Sequence, residues 1–285
     1  MGKIIFIGLG IVILVVLALA AAMAIGRAAY DGQIKREVAG MFKNRQEGKA
    51  AIVTEEDITR LPEPVQRWLR NSGIIGKERV TAVRLKQKGF FRMKEGGNWI
   101  PFTAEEYYTT NPPAFIWKAQ MSMVPFLTAI GRDRYESGKG ELNFKLGSLI
   151  TVADAQGSEL DQGAMVRYLN EIMWFPSAAI SDYITWEAVD SSSARATMSF
   201  GGVTASAIFY FNEKGEETNM TADRYATLKK GISLEKWSTP IAGYGEFQGL
   251  RVPSRGEGVW NLKTGDYPYI RVEVTEIEYN KPALY

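Results

Sequence analysis

From Lys77 to the C-terminus, apolar side chains return at every second position, and nothing else in the chain restricts its fold as severely. Thr81, Val83 and Leu85 alternate with Arg84, Lys86 and Lys88. Phe115, Trp117, Ala119, Met121 and Met123 alternate with Lys118, Gln120 and Ser122. The same pattern runs through Leu142/Phe144/Leu146, Ile184/Trp186/Ala188, Ala194/Ala196/Met198/Phe200 and Val203 to Phe211. Turn residues part these runs, among them Gly138-Lys139-Gly140, Gly201-Gly202 and Asn212 to Gly215. Successive side chains of a strand point to opposite faces, so the pattern predicts antiparallel strands with one face covered. Near the end, Ile270, Val272 and Val274 are apolar at even positions, and Ile277 and Tyr279 at odd ones. That change of phase at Thr275–Glu276 predicts a β-bulge, and with it a bent sheet.

A single helical pattern interrupts the strands. Leu160, Ala164, Met165, Tyr168, Leu169 and Ile172 form its apolar stripe, Ser158 is placed to cap it, and it ends at Trp174-Phe175-Pro176. The predicted fold class is therefore α+β. A strongly curved antiparallel sheet or half-barrel occupies 77–285, with an amphipathic helix, 158–173, on its concave side.

Ahead of the sheet, Ile4 to Ile25 carry no charge, between Lys3 and Arg27. About 20 apolar residues suffice for a helix to cross a bilayer. Two readings compete. Ala22-Met23-Ala24 fits a signal-peptide cleavage site, but the run exceeds the usual apolar core of such peptides and leads straight into more helix. A retained anchor over 1–30 is the preferred reading, with cleavage after Ala24 as the runner-up. A lipoprotein signal is excluded, because it needs a cysteine and there is none. Arg27, Lys35, Arg36 and Lys43 after the run favour a cytoplasmic domain, yet large domains translocate whatever their flanking charges. An uncleaved signal anchor with an exported domain is the placement adopted.

Residues 31–76 read as a helical stalk. Ile34, Val38, Met41 and Phe42 recur at helical spacing among basic residues, a stripe that either lies on lipid headgroups or packs on the domain. Thr54 opens a second short helix with an acidic first turn, and Pro64 to Arg70 form a third, closed by Gly73.

Composition excludes several functions. Beyond Lys3 and Arg27, the chain has 32 basic and 32 acidic side chains, which argues against nucleic acid as a partner. With no histidine and no cysteine, serine–histidine and cysteine–histidine catalysis and imidazole or thiolate metal sites are ruled out. No dinucleotide or phosphate-loop pattern is present, and no cofactor, metal or catalytic residue is predicted.

Several segments carry a resemblance: Leu61 to Arg70 (LPEPVQRWLR), Pro101 to Tyr108 (PFTAEEYY), Gly131 to Tyr135 (GRDRY), Met173 to Ala178 (MWFPSA), Gly249 to Glu257 (GLRVPSRGE) and Glu276 to Asn280 (EIEYN). In this order over about 60–280, the chain resembles an uncharacterised family of bacterial membrane-associated proteins, a domain of unknown function. That resemblance implies a bacterial cytoplasmic membrane as the location and no established activity. It also implies an architecture similar to lipoprotein-carrier folds, where an open half-barrel holds acyl chains.

Inward aromatic and methionine side chains are the candidate lining of such a cavity: Trp117, Met121, Phe126, Tyr168, Trp174, Phe175, Phe209 and Trp237. Each is equally ordinary core material. Arg132 and Arg255, set among glycines and acids, are candidates to grip a headgroup, or else to pair with carboxylates at strand ends. Asp161 and Glu171, ten residues apart on the embedded helix, are out of phase on it, a poor acid–base pair. The function expected is a membrane-tethered module binding a lipid or other hydrophobic ligand without catalysis. The alternatives are a carboxylate-dependent enzyme on an envelope substrate and a structural protein-interaction domain.

Overall fold

The computed structural model describes residues 2–46, 51–125, 127–228 and 231–285. Helix α1 (Gly2–Asn44) is continuous. Its apolar part stands clear of the rest of the protein and is long and apolar enough to cross a membrane. Its second half settles on the domain, with Tyr30, Ile34, Val38, Met41 and Phe42 buried against Ala82, Tyr107, Ala114, Ile116 and Ile130. Of the two placements open to this stripe, packing on the domain is the one observed. Helix α2 (Glu55–Ile58) starts where the Thr54 backbone N–H and hydroxyl both donate to the Asp57 carboxylate, at 2.8 and 3.0 Å. Helix α3 (Glu63–Ser72) carries Pro64 in its first turn and ends on Gly73, whose φ of 73° is the left-handed stop that glycine adopts freely.

The strands form one antiparallel sheet. Its first wing is an up-and-down meander: β1 (Ala82–Phe91), β2 (Ile100–Thr110), β3 (Pro113–Val124), β4 (Leu127–Glu136), β5 (Lys139–Leu146) and β6 (Ile150–Gln156). The second wing comprises β7 (Ile184–Ala188), β8 (Ser193–Phe200), β9 (Val203–Phe211), β10 (Glu217–Leu228), β11 (Gly231–Ser238), β12 (Ile241–Phe247), β13 (Leu250–Leu262) and β14 (Gly265–Tyr279). The order is β6-β5-β4-β3-β2-β1-β14-β13-β11-β10-β9-β8-β7, with β12 paired to β13. The β1–β14 pairing, nearly 200 residues apart in sequence, joins the wings. Here Lys86 faces Glu276 but Gln87 faces Val274, which leaves Thr275 as the extra residue of the predicted bulge. The sheet curls until the β4–β5 turn meets the β8–β9 turn: a Cβ on Gly201 would come 2.5 Å from the Ser137 carbonyl oxygen. The result is a half-barrel.

Helix α4 (Ser158–Glu171) lies in its concavity. It bridges the wings, since Asp161 accepts the Gly140 N–H at 2.8 Å on one side and Gln162 donates to the Asp223 carbonyl at 2.8 Å on the other. Ser158 does not cap it. Gly157 precedes the first turn, and the Ser158 hydroxyl donates to the Glu159 carboxylate instead. The α-helical part stops at Glu171, two residues short of the predicted end, and a 3-10 turn (Ile172–Trp174) follows. Pro176 drives this ending, because the residue before a proline is pushed out of helical conformation, and Phe175 has φ −138° and ψ 71°.

A cavity with a buried charge cluster as the candidate functional site

Between α4 and the sheet lies a cavity of about 830 Å³. Inward positions of the meander supply Phe91, Trp117, Met121 and Phe144, and the second wing supplies Trp237, Trp260, Tyr269 and Val272. The aromatic walls are internally packed. Trp117 stands 5.8 Å from Phe102 and 6.3 Å from Phe144, and Trp260 stacks on Tyr269 at 5.6 Å. Gly131 makes room for one of them, since a Cβ there would overlap the Phe144 ring. The cavity reaches the β1–β2 turn, where Phe91 to Glu95 line it.

Its polar end is built around Arg167 of α4. Arg167 donates to Glu106 Oε1 at 2.7 Å, Asp133 Oδ2 at 2.6 Å and Glu171 Oε1 at 2.7 Å. The guanidinium also lies over the rings of Phe115 (4.8 Å) and Trp117 (5.0 Å). Gln87 donates to the other Glu106 oxygen at 3.0 Å and accepts the Trp117 indole N–H at 2.9 Å. One cation cannot neutralise three carboxylates. Burial, then the charge of Glu171, pushes Glu106 well above the usual carboxylate range. Burial also raises Glu171, against the pull of Arg167. Burial alone would lower Arg167, but Glu171, Glu106 and Asp133 more than offset it and hold the guanidinium charged. The cluster therefore retains a proton at pH values where an ordinary carboxylate has lost it. Among the described residues, Asp133 Oδ1 and Glu171 Oε2 have no hydrogen-bond partner.

A second cation lies on the opposite wall. Arg224 donates to the Gly163 carbonyl at 2.9 Å and to the Tyr269 hydroxyl at 3.3 Å, and lies 4.6 Å over Trp237. Among the described residues no carboxylate pairs with it. The Trp237 indole N–H beside it is buried without a partner among the same residues.

The model of a family of unknown function, DUF6544, matches residues 51–272, most of the chain. The chain belongs to the DUF6544 family. The match covers α2, α3 and the strands that wall the cavity except the end of β14, where Val274 also lines it, so the cavity belongs almost wholly to the DUF6544 region and not to the N-terminal helix. No curated protein sequence matches the chain. A LolA superfamily protein from Nitrosomonas europaea is a distant structural match at 9% identity, covering 75% of this chain and 92% of that chain, with a TM-score of 0.39.

Within this DUF6544 domain, the residues singled out from sequence part into three groups. Trp117, Met121, Trp174, Trp237 and Arg255 line the cavity. Tyr168, Phe175 and Phe209 are fully buried in the packed interior instead. Tyr168 donates to the Thr109 carbonyl at 3.0 Å, Phe175 packs 4.8 Å from Tyr108, and Phe209 packs 5.1 Å from Trp186. Arg132 is on the outward face of β4, under α1, paired with Glu37 at 2.6 Å and Glu141 at 2.7 Å. It lies one position out of phase with the inward Gly131 and Asp133, so it faces away from the cavity. Phe126 lies outside the described residues. Asp161 and Glu171 diverge, with Asp161 paired to Lys139 at 2.8 Å and Glu171 in the Arg167 cluster.

Sequence reasoning missed Arg167, Glu106, Asp133 and Arg224. A signal for two of them was present. Glu106 interrupts the inward series Phe102, Ala104, Tyr108, and Asp133 sits between Gly131 and Tyr135. A charge at an inward strand position needs a buried partner.

Proposed function

We propose that the protein is a membrane-tethered module that holds a lipid or other hydrophobic amphiphile in the concavity of its sheet and performs no chemistry on it. In this reading residues 1–30 are a retained single-pass anchor in a bacterial cytoplasmic membrane, 31–76 a helical stalk seated on the domain, and 77–285 the binding domain on the extracytoplasmic face. The observation that carries it is the cavity. Its volume lies in the range of small-molecule sites, about 300–1,000 Å³, and aromatic and aliphatic side chains dominate its walls. Arg224 and the Trp237 N–H supply donors for the oxygen atoms of a polar head, next to apolar walls suited to a chain.

Native mass spectrometry of the full chain, extracted gently from membranes, tests this. The expected result is a bound species of lipid mass, whose removal lowers the melting temperature. Repeated recovery without such a species, and a melting temperature that delipidation leaves unchanged, would sink the reading.

One observation favours a second reading, a carboxylate-dependent enzyme: Glu171 and Asp133 reach the cavity with an unpartnered oxygen each, and Glu171 holds its proton above the usual range. The geometry speaks for a structural role. All three acids spend an oxygen on Arg167, a closed ion cluster of the kind that fixes a helix against a sheet. A Glu171→Gln variant that keeps its ligand and its fold but accumulates an unprocessed form of that ligand would revive the enzyme.

A further inference from the structure

The β1–β6 meander runs up and down, so its β1–β2, β3–β4 and β5–β6 turns lie at one end of the wing. Helix α1 leaves the domain at that same end. A Cβ on Gly26 would meet the Ser148 carbonyl oxygen at 2.8 Å and Leu149 Cδ2 at 2.9 Å, and one on Gly147 would meet Met23 Sδ at 3.2 Å. Met23 and Gly26 mark the end of the apolar run. If the run is in lipid, the β5–β6 turn that touches it is at the lipid surface, and the β3–β4 turn lies at the same end.

The side chains at these turns suit that place. Val124, Leu149, Ile150 and Val152 are 57%, 46%, 64% and 54% exposed, large apolar groups gathered beside the emerging helix. Farther along the strands, outward positions include Lys86, Lys88 and Lys118, each paired to a carboxylate. Just past the run, Arg27 donates to Gln120 of β3 at 2.5 Å, which holds a cation beside the end of the apolar segment. The cavity comes to the same end, at Phe91 to Glu95.

We propose that Val124, at the end of β3, and the β5–β6 turn sit in the headgroup region of the bilayer that α1 enters, with the β1–β2 end of the cavity turned toward that leaflet. The proposal rests on the reading of α1 as a retained membrane anchor. It makes the bilayer the docking partner of a domain whose balanced charge gives no strong electrostatic attraction to lipid. Apolar insertion next to an anchor needs none.

The chain has no cysteine, so a single introduced one carries a unique nitroxide label. The full chain bearing Val124→Cys, Ile150→Cys, Leu14→Cys or Ile52→Cys is reconstituted in bilayers of equal parts phosphatidylcholine and phosphatidylglycerol. Collision of each label with oxygen, enriched in lipid, is compared with collision with a water-soluble nickel chelate. Leu14 reports the anchor. Ile52, exposed and paired to Glu78 ahead of β1 at the far end of the meander, reports water. The expected result is a several-fold lower nickel collision rate at 124 and 150 than at 52, with oxygen collision intermediate between 52 and 14. A lipid-embedded label at 14 beside labels at 124 and 150 as wet as that at 52 overturns the docking proposal alone. Labels at 124 and 150 shielded from both reagents also overturn it, since a second copy of the chain then covers the patch. A wet label at 14 overturns the anchor reading and the docking proposal together.

Discussion

Arg167 shows how a single side chain ties α4 to the sheet. Its three ion pairs reach β2, β4 and its own helix, all in a nearly dry site. Removing one partner of such a cluster leaves uncompensated buried charge, a loss of about 3–5 kcal/mol. Arg167→Met is expected to lose that much at neutral pH and less near pH 4, where the orphaned Glu106 and Glu171, both raised by burial, are protonated, as chemical denaturation at the two pH values would show. Glu217 offers the cleaner titration. Fully buried, with both carboxylate oxygens unpartnered among the described residues, it is pushed well above the usual range by burial alone. The folded state then keeps a proton that the unfolded chain releases above about pH 4.3, so stability falls as pH rises from there toward the folded value. The slope approaches about 1.4 kcal/mol per pH unit. Glu217→Gln removes this contribution. Its melting temperature should match the parent's near pH 4 and exceed it at pH 7.5, and a gain of equal size at both pH values would refute the assignment.

At the scale of elements, α1 does two jobs with one continuous helix, and its two halves answer differently to the same substitution. Ile34 is buried against the convex face of the sheet, whereas Leu14 is exposed on the part of the helix that stands clear of the domain. Ile34→Ala should lower the stability of the full chain in detergent by about 2–5 kcal/mol, read from the denaturation midpoint. Leu14→Ala should leave that midpoint in place. Equal effects would mean that the stripe is not seated on the domain. The sequence made both halves recognisable, because charge-free length and helical spacing are local properties. The bulge was legible for the same reason: Val274 and Ile277 are both inward, and only an extra residue at Thr275 permits it. What stayed hidden was the surface that receives the stripe. Ile116, in a polar series between Trp117 and Phe115, declares itself only when α1 covers it.

On the scale of the whole molecule, the alternation shows which face of each strand turns inward, and that much specified a curved one-sided sheet. It does not show which strands meet across the chain. The β1–β14 pairing that closes the wings into one half-barrel depends on long-range contacts no local pattern encodes. Nor does alternation distinguish an inward side chain that touches another from one that faces open space. Phe209 and Trp237 are alike in sequence, but Phe209 is packed on Trp186 and Trp68, whereas Trp237 walls the cavity. The difference arises from the relative placement of α3 and α4, which fill one part of the concavity and leave the other. A test of that division needs a substitution that fills the cavity without disturbing the packed part. Leu142 on β5 lines the cavity and is only half-buried, so a larger side chain there projects into open volume. Leu142→Trp is expected to abolish or strongly reduce the lipid-mass species in native spectra. The melting temperature of delipidated protein should stay the same or rise, because added apolar contact replaces empty space. Undiminished ligand occupancy in a folded Leu142→Trp protein would place the bound molecule elsewhere and remove the cavity from the proposed function.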